Sequence, residues 1–266
     1  MRTATRHVPA WLRRYPAPAA APLVFVGGYC EYDFIERVAA LDARGYRHTG
    51  PAVGGFYLCN RKDFVGLWFE ARGLRAPAPA WVAGVAAGDG APPPPADAPL
   101  PAPCVVKRSD SCGSYDQAVA RTHGEFAAAR ARLLGHAIVV EPFVHGRELS
   151  VNFLDAALLS WFDFDKLGHG DVLDLTKKDK RTDWLTLRRP ADLPPVVAAA
   201  LPHLHDFIAR LGLRDITRFD LRIDDATGRV HVMDANCVAC CNFDLLTAAE
   251  TLQYAETILA LSVASS

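Results

Sequence analysis

The sequence predicts an α+β fold, and three observations carry that prediction. A strand at 104–107, a helix, a returning strand at 137–141 and a strand pair at 149–154 and 158–164 make one mixed unit. Strand-like runs at 217–223 and 229–234 flank Asp224, Asp225, Ala226, Thr227 and Gly228, which reads as a β-hairpin. Between these units and an N-terminal βα unit lies the stretch 76–103. It holds nine of the 19 prolines and only two charges, and its polyproline stiffness is expected to separate two packing units.

The elements follow in chain order. The apolar run 23–26, then Gly27 and Gly28, reads as a buried strand turning into a helix. Asp33 is placed to cap that helix, Phe34, Ile35, Val38 and Leu41 form its apolar face, and Gly45 ends it. A second helix starts near Asn60, with Asp63 in its first turn and Phe64, Leu67, Trp68 and Ala71 at helical spacing. Lys62 lies in the same turn, where the helix dipole favours an anion, so a cation there suits a phosphate. After the connector and the strand 104–107, small polar residues at 109–114 make a loop. Ser114 and Gln117 are expected to cap the next helix, whose face is Val119, Thr122, Phe126, Ala129 and Leu133. Further helices are predicted over 196–211 and, last in the chain, with Leu245, Ala248, Leu252, Ala255 and Leu259 on one stripe. His203 and His205, two apart, share no helix face and read as structural.

Composition narrows the function. Half the residues are hydrophobic, 22% are charged and the net charge is −1, so neither nucleic acid nor an acidic membrane surface is the expected partner. No apolar run approaches the roughly 20 residues of a membrane helix. Seven irregularly spaced cysteines do not form a disulfide framework, and a reducing, cytoplasmic setting is expected. The first thirty residues carry Arg2, Arg6, Arg13 and Arg14 without an acidic side chain, which leaves organellar targeting as the alternative to a solvated basic tail over 1–21.

The hairpin carries the chemistry. Asp234 and Asn236 are two apart on one strand and project together, and an even register across the turn brings Asp220 and Arg218 to that face. Two carboxylates and an amide oxygen are hard ligands of the kind Mg²⁺ uses while bridging nucleotide phosphates. Val230, Val232 and Met233 bury the strand, where an acidic pair without a cation is costly. Cys237, Cys240 and Cys241 with His231 form the competing zinc reading, but no second well-spaced pair supports it. The basic run Lys177, Lys178, Lys180 and Arg181 reads as an anion lid.

Five ordered segments resemble the ATP-grasp ligases, and among them the D-alanine:D-alanine ligases: GGYCEYDF at 27–34, HTGPAVGGFYLCNRKDF at 48–64, PCVVKRSDSCGSYD at 103–116, IVVEPFVHGRELSV at 138–151 and ITRFDLRIDDATGRVHVMDANC at 216–237. The resemblance implies an ATP-grasp fold with a shortened N-terminal α/β unit at 22–75. A connector at 76–102, a central subdomain at 103–145 and a C-terminal subdomain at 146–266 would follow it. It implies that Glu31 contacts substrate, that Lys62 and Lys107 bind phosphate, and that Ser114 belongs to the phosphate-covering loop. Glu141 and the Val144 backbone would hold adenine with Phe143 beside it, Glu148 would bind ribose, Lys178 in preference to Lys177 would reach phosphate, and Arg218 would stabilise the oxyanion. Asp220, Asp234 and Asn236 would hold Mg²⁺, or Mn²⁺ in its place.

The implied activity is ATP-dependent coupling of a carboxylate to an amine through an acyl phosphate. Small molecules, amino acids among them, would be the substrates, and a homodimer is one expected assembly. The alternative is a non-catalytic or regulatory nucleotide-binding protein. Asp234 stands where the family has Glu, the Cys-rich run 237–241 replaces its acceptor loop, and Leu245 replaces a serine that holds the acceptor carboxylate. D-alanine is therefore not the expected acceptor.

Overall fold

The structure is a computed structural model and describes residues 32–46, 48, 50–75, 82–83, 103–111, 116–154, 156–164, 167–170, 186–214 and 216–237. The strand expected at 23–26, the basic run at 177–181 and the helix expected from Leu245 lie outside these residues.

Helix α1 (Tyr32–Asp42) buries Ile35, Val38 and Leu41 as its periodicity requires, and Gly45 ends it at φ +68°. Asp33, expected as the cap, lies within the helix. Helix α2 (Val53–Cys59) has no counterpart in the sequence reading, because Gly54 and Gly55 argue against a helix. Gly55 is there for close packing: a Cβ on it would lie 2.0 Å from the Leu211 carbonyl oxygen.

Helix α3 (Lys62–Glu70) presents a different face from the one expected. Lys62, Val65, Gly66 and Phe69 are buried, whereas Leu67 is 61% exposed. Phe64 and Trp68 still pack on the core edge, against Phe207.

Strand β1 (Val82–Ala83) comes from the proline-rich connector and pairs with Val139 and Ile138, so this part of the connector joins a sheet. Strands β2 (Cys104–Arg108) and β3 (Gln117–Ala120) are antiparallel. Gln117 thus begins a strand, and the capping box is eight residues later than expected: Thr122 and Glu125 satisfy each other's backbone at the start of α4 (His123–Arg132). Strand β4 (Ile138–Pro142) completes a four-stranded sheet of order β1-β4-β2-β3. Ala129, Leu133, Val106 and Val140 form its core.

Strands β5 (Gly146–Leu154), β6 (Ala157–Asp163) and β7 (Thr186–Arg188) lead to helices α5 (Pro195–Ala198) and α6 (Leu201–Leu211), two helices where one was expected over 196–211. Gly212, at φ +59°, caps α6. The hairpin strands β8 (Ile216–Asp224) and β9 (Val230–Asn236) finish a five-stranded antiparallel sheet of order β7-β6-β5-β8-β9.

One core joins α1, α2, α3 and α6 to this larger sheet. Phe69, Phe153, Phe207 and Phe219 stack edge and face within it. Each such side chain contributes about 1.5–3 kcal/mol on burial. The N-terminal helices therefore share the core of the C-terminal sheet, and α3 lies against β9.

Candidate functional site

The hairpin register places the charged side chains as the spacing requires. Arg218 faces Asn236 and Asp220 faces Asp234 across β8 and β9, and the next strand sets Ser150 opposite Asp220. Arg218 Nε donates to Asp220 Oδ1 at 2.9 Å, Ser150 Oγ donates to the same oxygen at 2.5 Å, and Asn236 Nδ2 donates to Asp220 Oδ2 at 3.3 Å. Beyond Asp220 the register shifts, so that Leu221 faces Val232 and Arg222 faces His231. This irregularity passes over Met233 and frees its carbonyl to accept from Lys107 Nζ at 3.0 Å.

Helix α3 delivers a second cation. Lys62 Nζ lies 3.5 Å from Asp234 Oδ2 and donates to the Ser111 carbonyl, while its backbone N–H donates to Ser109 O at 3.0 Å. Ser109 Oγ also donates to Asp63 Oδ1 at 2.5 Å. The start of the loop after β2 is thereby fastened to the helix N-terminus. Burial raises the Asp63 carboxyl, but hydrogen bonds from Arg61 and Ser109 outweigh it and hold the group below the usual carboxylate range.

Lys107 and Glu141 face the same interior from β2 and β4. Lys107 Nζ is 2.6 Å from Glu141 Oε1, and Arg75 pairs with Glu141 Oε2 while donating to Val232 O at 3.2 Å. All three side chains are buried. Burial, reinforced by the nearby Arg75 charge, pushes the Lys107 ammonium well below its usual range, and burial brings Arg75 down to about 10. Gly66 makes the room: a Cβ there would lie 3.2 Å from the Arg75 guanidinium carbon.

The third cluster lines the chain between β4 and β5. Arg222 donates twice to Glu148 Oε2, at 2.7 and 3.1 Å, and once to the Val144 carbonyl at 2.8 Å. Its guanidinium carbon lies 5.1 Å from the centroid of the Phe143 ring.

Ten of the thirteen sequence-predicted site residues are thus located. Lys62, Lys107, Glu141, Arg218, Asp220, Asp234 and Asn236 converge where α3, the small sheet and the hairpin meet, while Phe143, Val144 and Glu148 gather around Arg222, two residues along β8 from Asp220. Glu31, Ser114 and Lys178 lie outside the described residues. Sequence reading missed Arg75, Ser150 and Arg222. The last was signalled by strand parity, since 218, 220 and 222 alternate to one face. Arg75 gave no such signal, because nothing in the sequence shows that Gly66 lies against it.

Among the described residues no group of three or more His, Cys, Asp and Glu side chains is placed to hold a metal, and Cys237 is a free, buried core residue. The hairpin set is a different kind of site, two carboxylates and one amide. Its donors are hard oxygens on a partly buried face, and their chemistry fits Mg²⁺, which these residues would hold.

No family model matches the sequence. A D-alanine--D-alanine ligase of Acidiphilium cryptum (strain JF-5) is 31% identical over 141 residues, covering 52% of this chain and 46% of the ligase. The chain thus spans about half the length of that curated relative. A D-alanine--D-alanine ligase from Bacillus anthracis matches with a TM-score of 0.58 at 15% identity, over 82% of this chain and 70% of that one. A biotin carboxylase complex with β,γ-ATP from Campylobacter jejuni matches with a TM-score of 0.58 at 12% identity, over 84% and 50%. The likeness to these solved structures shows the ATP-grasp fold, here with two antiparallel sheets, and within that fold the chain resembles the D-alanine--D-alanine ligases.

Proposed function

We propose that this chain binds Mg-ATP and uses it to couple a small-molecule carboxylate to an amine. The observation that carries the reading is the hairpin register. It gathers Arg218, Asp220, Asp234 and Asn236 on one face, with Lys62 reaching Asp234 from α3 and Lys107 reaching the Met233 carbonyl from β2.

A carboxylate oxygen of the first substrate attacks the γ-phosphorus, the bond to the bridging oxygen breaks, and ADP leaves. The product is an acyl phosphate. The amine of the second substrate then adds to the acyl carbon, phosphate departs with the bond it held, and the nitrogen loses a proton to give the amide. Asp220, Asp234 and Asn236 would hold Mg²⁺, which when bound neutralises charge on the phosphates. Lys62 and Lys107 supply fixed cations at the same place, and Arg218 supplies donors for the oxyanion of the tetrahedral intermediate. Glu141, Phe143 and the Val144 backbone are assigned to adenine and Glu148 to ribose. Ser114, Lys178 and Glu31 are assigned to the phosphate loop, phosphate and first substrate.

A second reading, nucleotide binding without ligation, is favoured by one observation: Glu141 is already paired with both Arg75 and Lys107. An ADP-release screen over amino acids, dipeptides and other carboxylates paired with amines separates the two. Turnover with any pair supports the ligase. Tight Mg-ATP binding with no turnover across the screen supports the second reading. With Leu245 in place of a carboxylate-binding serine, D-alanine is not expected among the acceptors.

A further inference from the structure

Every acceptor that Arg222 is shown to reach belongs to two stretches of chain beside the proposed base pocket. Its Nη1 donates to the carbonyls of Val144 at 2.8 Å and His169 at 3.4 Å, and its Nε and Nη2 converge on Glu148 Oε2. The His169 carbonyl also accepts from the Gly146 backbone at 3.0 Å, so the same guanidinium braces both sides of the turn into β5. The Phe143 ring lies over it. The Arg222 side chain is 3% exposed and that of Glu148 is 16% exposed, so the pair is largely withdrawn from bulk water and Glu148 is its more accessible member.

Desolvating this pair is costly, and an apolar residue of similar volume could fill the space without that cost. What an apolar side chain could not do is fix a carbonyl and a carboxylate in one geometry. The guanidinium is planar and presents its donors as a rigid fork, so the Val144 carbonyl and the Glu148 carboxylate are held at a set separation. Arg222 also stands two residues beyond Asp220 on the same strand face, which ties that separation to the proposed metal ligand.

We propose that Arg222 is a positioning residue for the sugar of a purine ribonucleoside triphosphate: by clamping Glu148 to the Val144 turn, it makes selection for the ribose hydroxyls depend on its own side chain. The proposal rests on the Mg-ATP reading given above. Arg222 touches neither phosphate nor reacting atoms, and it acts through Glu148.

The test compares calorimetric binding of Mg-ATP with that of Mg-2′,3′-dideoxy-ATP, which lacks both hydroxyls, in the full chain. The wild type is expected to prefer ATP by about tenfold or more, the usual effect of hydrogen bonds to a charged group. In Arg222→Met that preference falls to within about threefold, because ATP weakens while dideoxy-ATP does not. Glu148→Gln shows the same pattern, and the double variant loses nothing further, since both changes remove one device. Arg222→Lys keeps the charge without the fork and gives an intermediate preference, which also carries the test if Arg222→Met does not melt cooperatively. Equal weakening of the two nucleotides, or a wild-type preference in Arg222→Met and Arg222→Lys, overturns the proposal. A wild type that binds ATP and dideoxy-ATP equally also overturns it and leaves the Mg-ATP reading standing. A wild type that binds neither overturns both.

Discussion

Lys62 and Asp234 approach to 3.5 Å, one from the first turn of α3 and the other from the outer strand of the hairpin. The contact joins the N-terminal helices to the acidic face, and it shows what Asp234 does before any ligand arrives: it balances a buried ammonium. Asp234→Asn keeps the size and an oxygen ligand but removes that balance together with one metal-directed charge. The variant is expected to fold and to lose ATP-driven turnover by about a hundredfold or more, with a weakened Mg²⁺ dependence. Asp220→Asn is expected to behave likewise, because Asp220 is opposite Asp234 in the ladder. Parental turnover with the parental Mg²⁺ requirement in both variants would place the metal elsewhere.

Glu141, Arg75 and Lys107 make a second test possible. Glu141 balances two buried cations, so Glu141→Ala leaves both uncompensated and is expected to cost about 3–5 kcal/mol of stability. Lys107→Ala leaves the Arg75–Glu141 pair intact and is expected to cost less. It is expected instead to weaken ATP binding by about 1.5–3 kcal/mol, roughly tenfold to a hundredfold, through loss of a charge-assisted phosphate contact. Urea unfolding and calorimetry measure the two effects. A greater loss of stability in Lys107→Ala than in Glu141→Ala would contradict the buried arrangement.

Much of this site was legible because strands encode position simply. Asp234 and Asn236 had to share a face, and one assumption about the turn brought Arg218 and Asp220 beside them. The bulge that opposes Arg222 to His231 was not legible, because a skipped residue changes parity without a distinctive residue type. Helix α2 was missed for a related reason: Gly55 obeys a packing demand from the Leu211 carbonyl, a residue far away in sequence, against its local propensity. Thr122 and Glu125 show the opposite error. Their capping box was readable, but a reading that started the helix at Ser114 absorbed the strand Gln117–Ala120 into it.

His231 sets an expectation for pH. Burial pushes its imidazole below the usual histidine range, with Asp224 at 3.8 Å opposing the shift and Arg229 and Arg75 adding to it. The folded chain therefore keeps His231 neutral at a pH where the unfolded chain has begun to protonate it. Below about pH 6.5 the unfolded state binds the extra proton, so this contribution to stability is present above that pH and is lost as the pH falls through the folded-state value. The melting temperature of the wild type is expected to fall more between pH 7.5 and 5.5 than that of His231→Gln. Parallel pH profiles for the two proteins would show that His231 does not carry the effect.

Two glycines give opposite expectations for one substitution. A Cβ at Gly146 would lie 2.0 Å from the Ile223 carbonyl oxygen and 3.1 Å from the Asp224 Cα, both backbone atoms of the strand it pairs with. Nothing flexible can move aside, so Gly146→Ala must push the start of β5 away from β8. Overpacking of this kind costs about 1–3 kcal/mol. In a chain of this size that lowers the melting temperature by roughly 2–12 °C. The same displacement draws the Val144 carbonyl from Arg222, so Mg-ATP binding is expected to weaken with it. Gly54, by contrast, lies on the exposed side of α2 with nothing within 4 Å of a built Cβ. Gly54→Ala gains helix propensity worth about 0.5–1 kcal/mol and is expected to raise the melting temperature slightly, leaving ATP binding unchanged. If Gly146→Ala melts at or above the wild-type temperature, β5 and β8 do not approach as closely as the ladder requires, and the support for the base pocket falls with that contact.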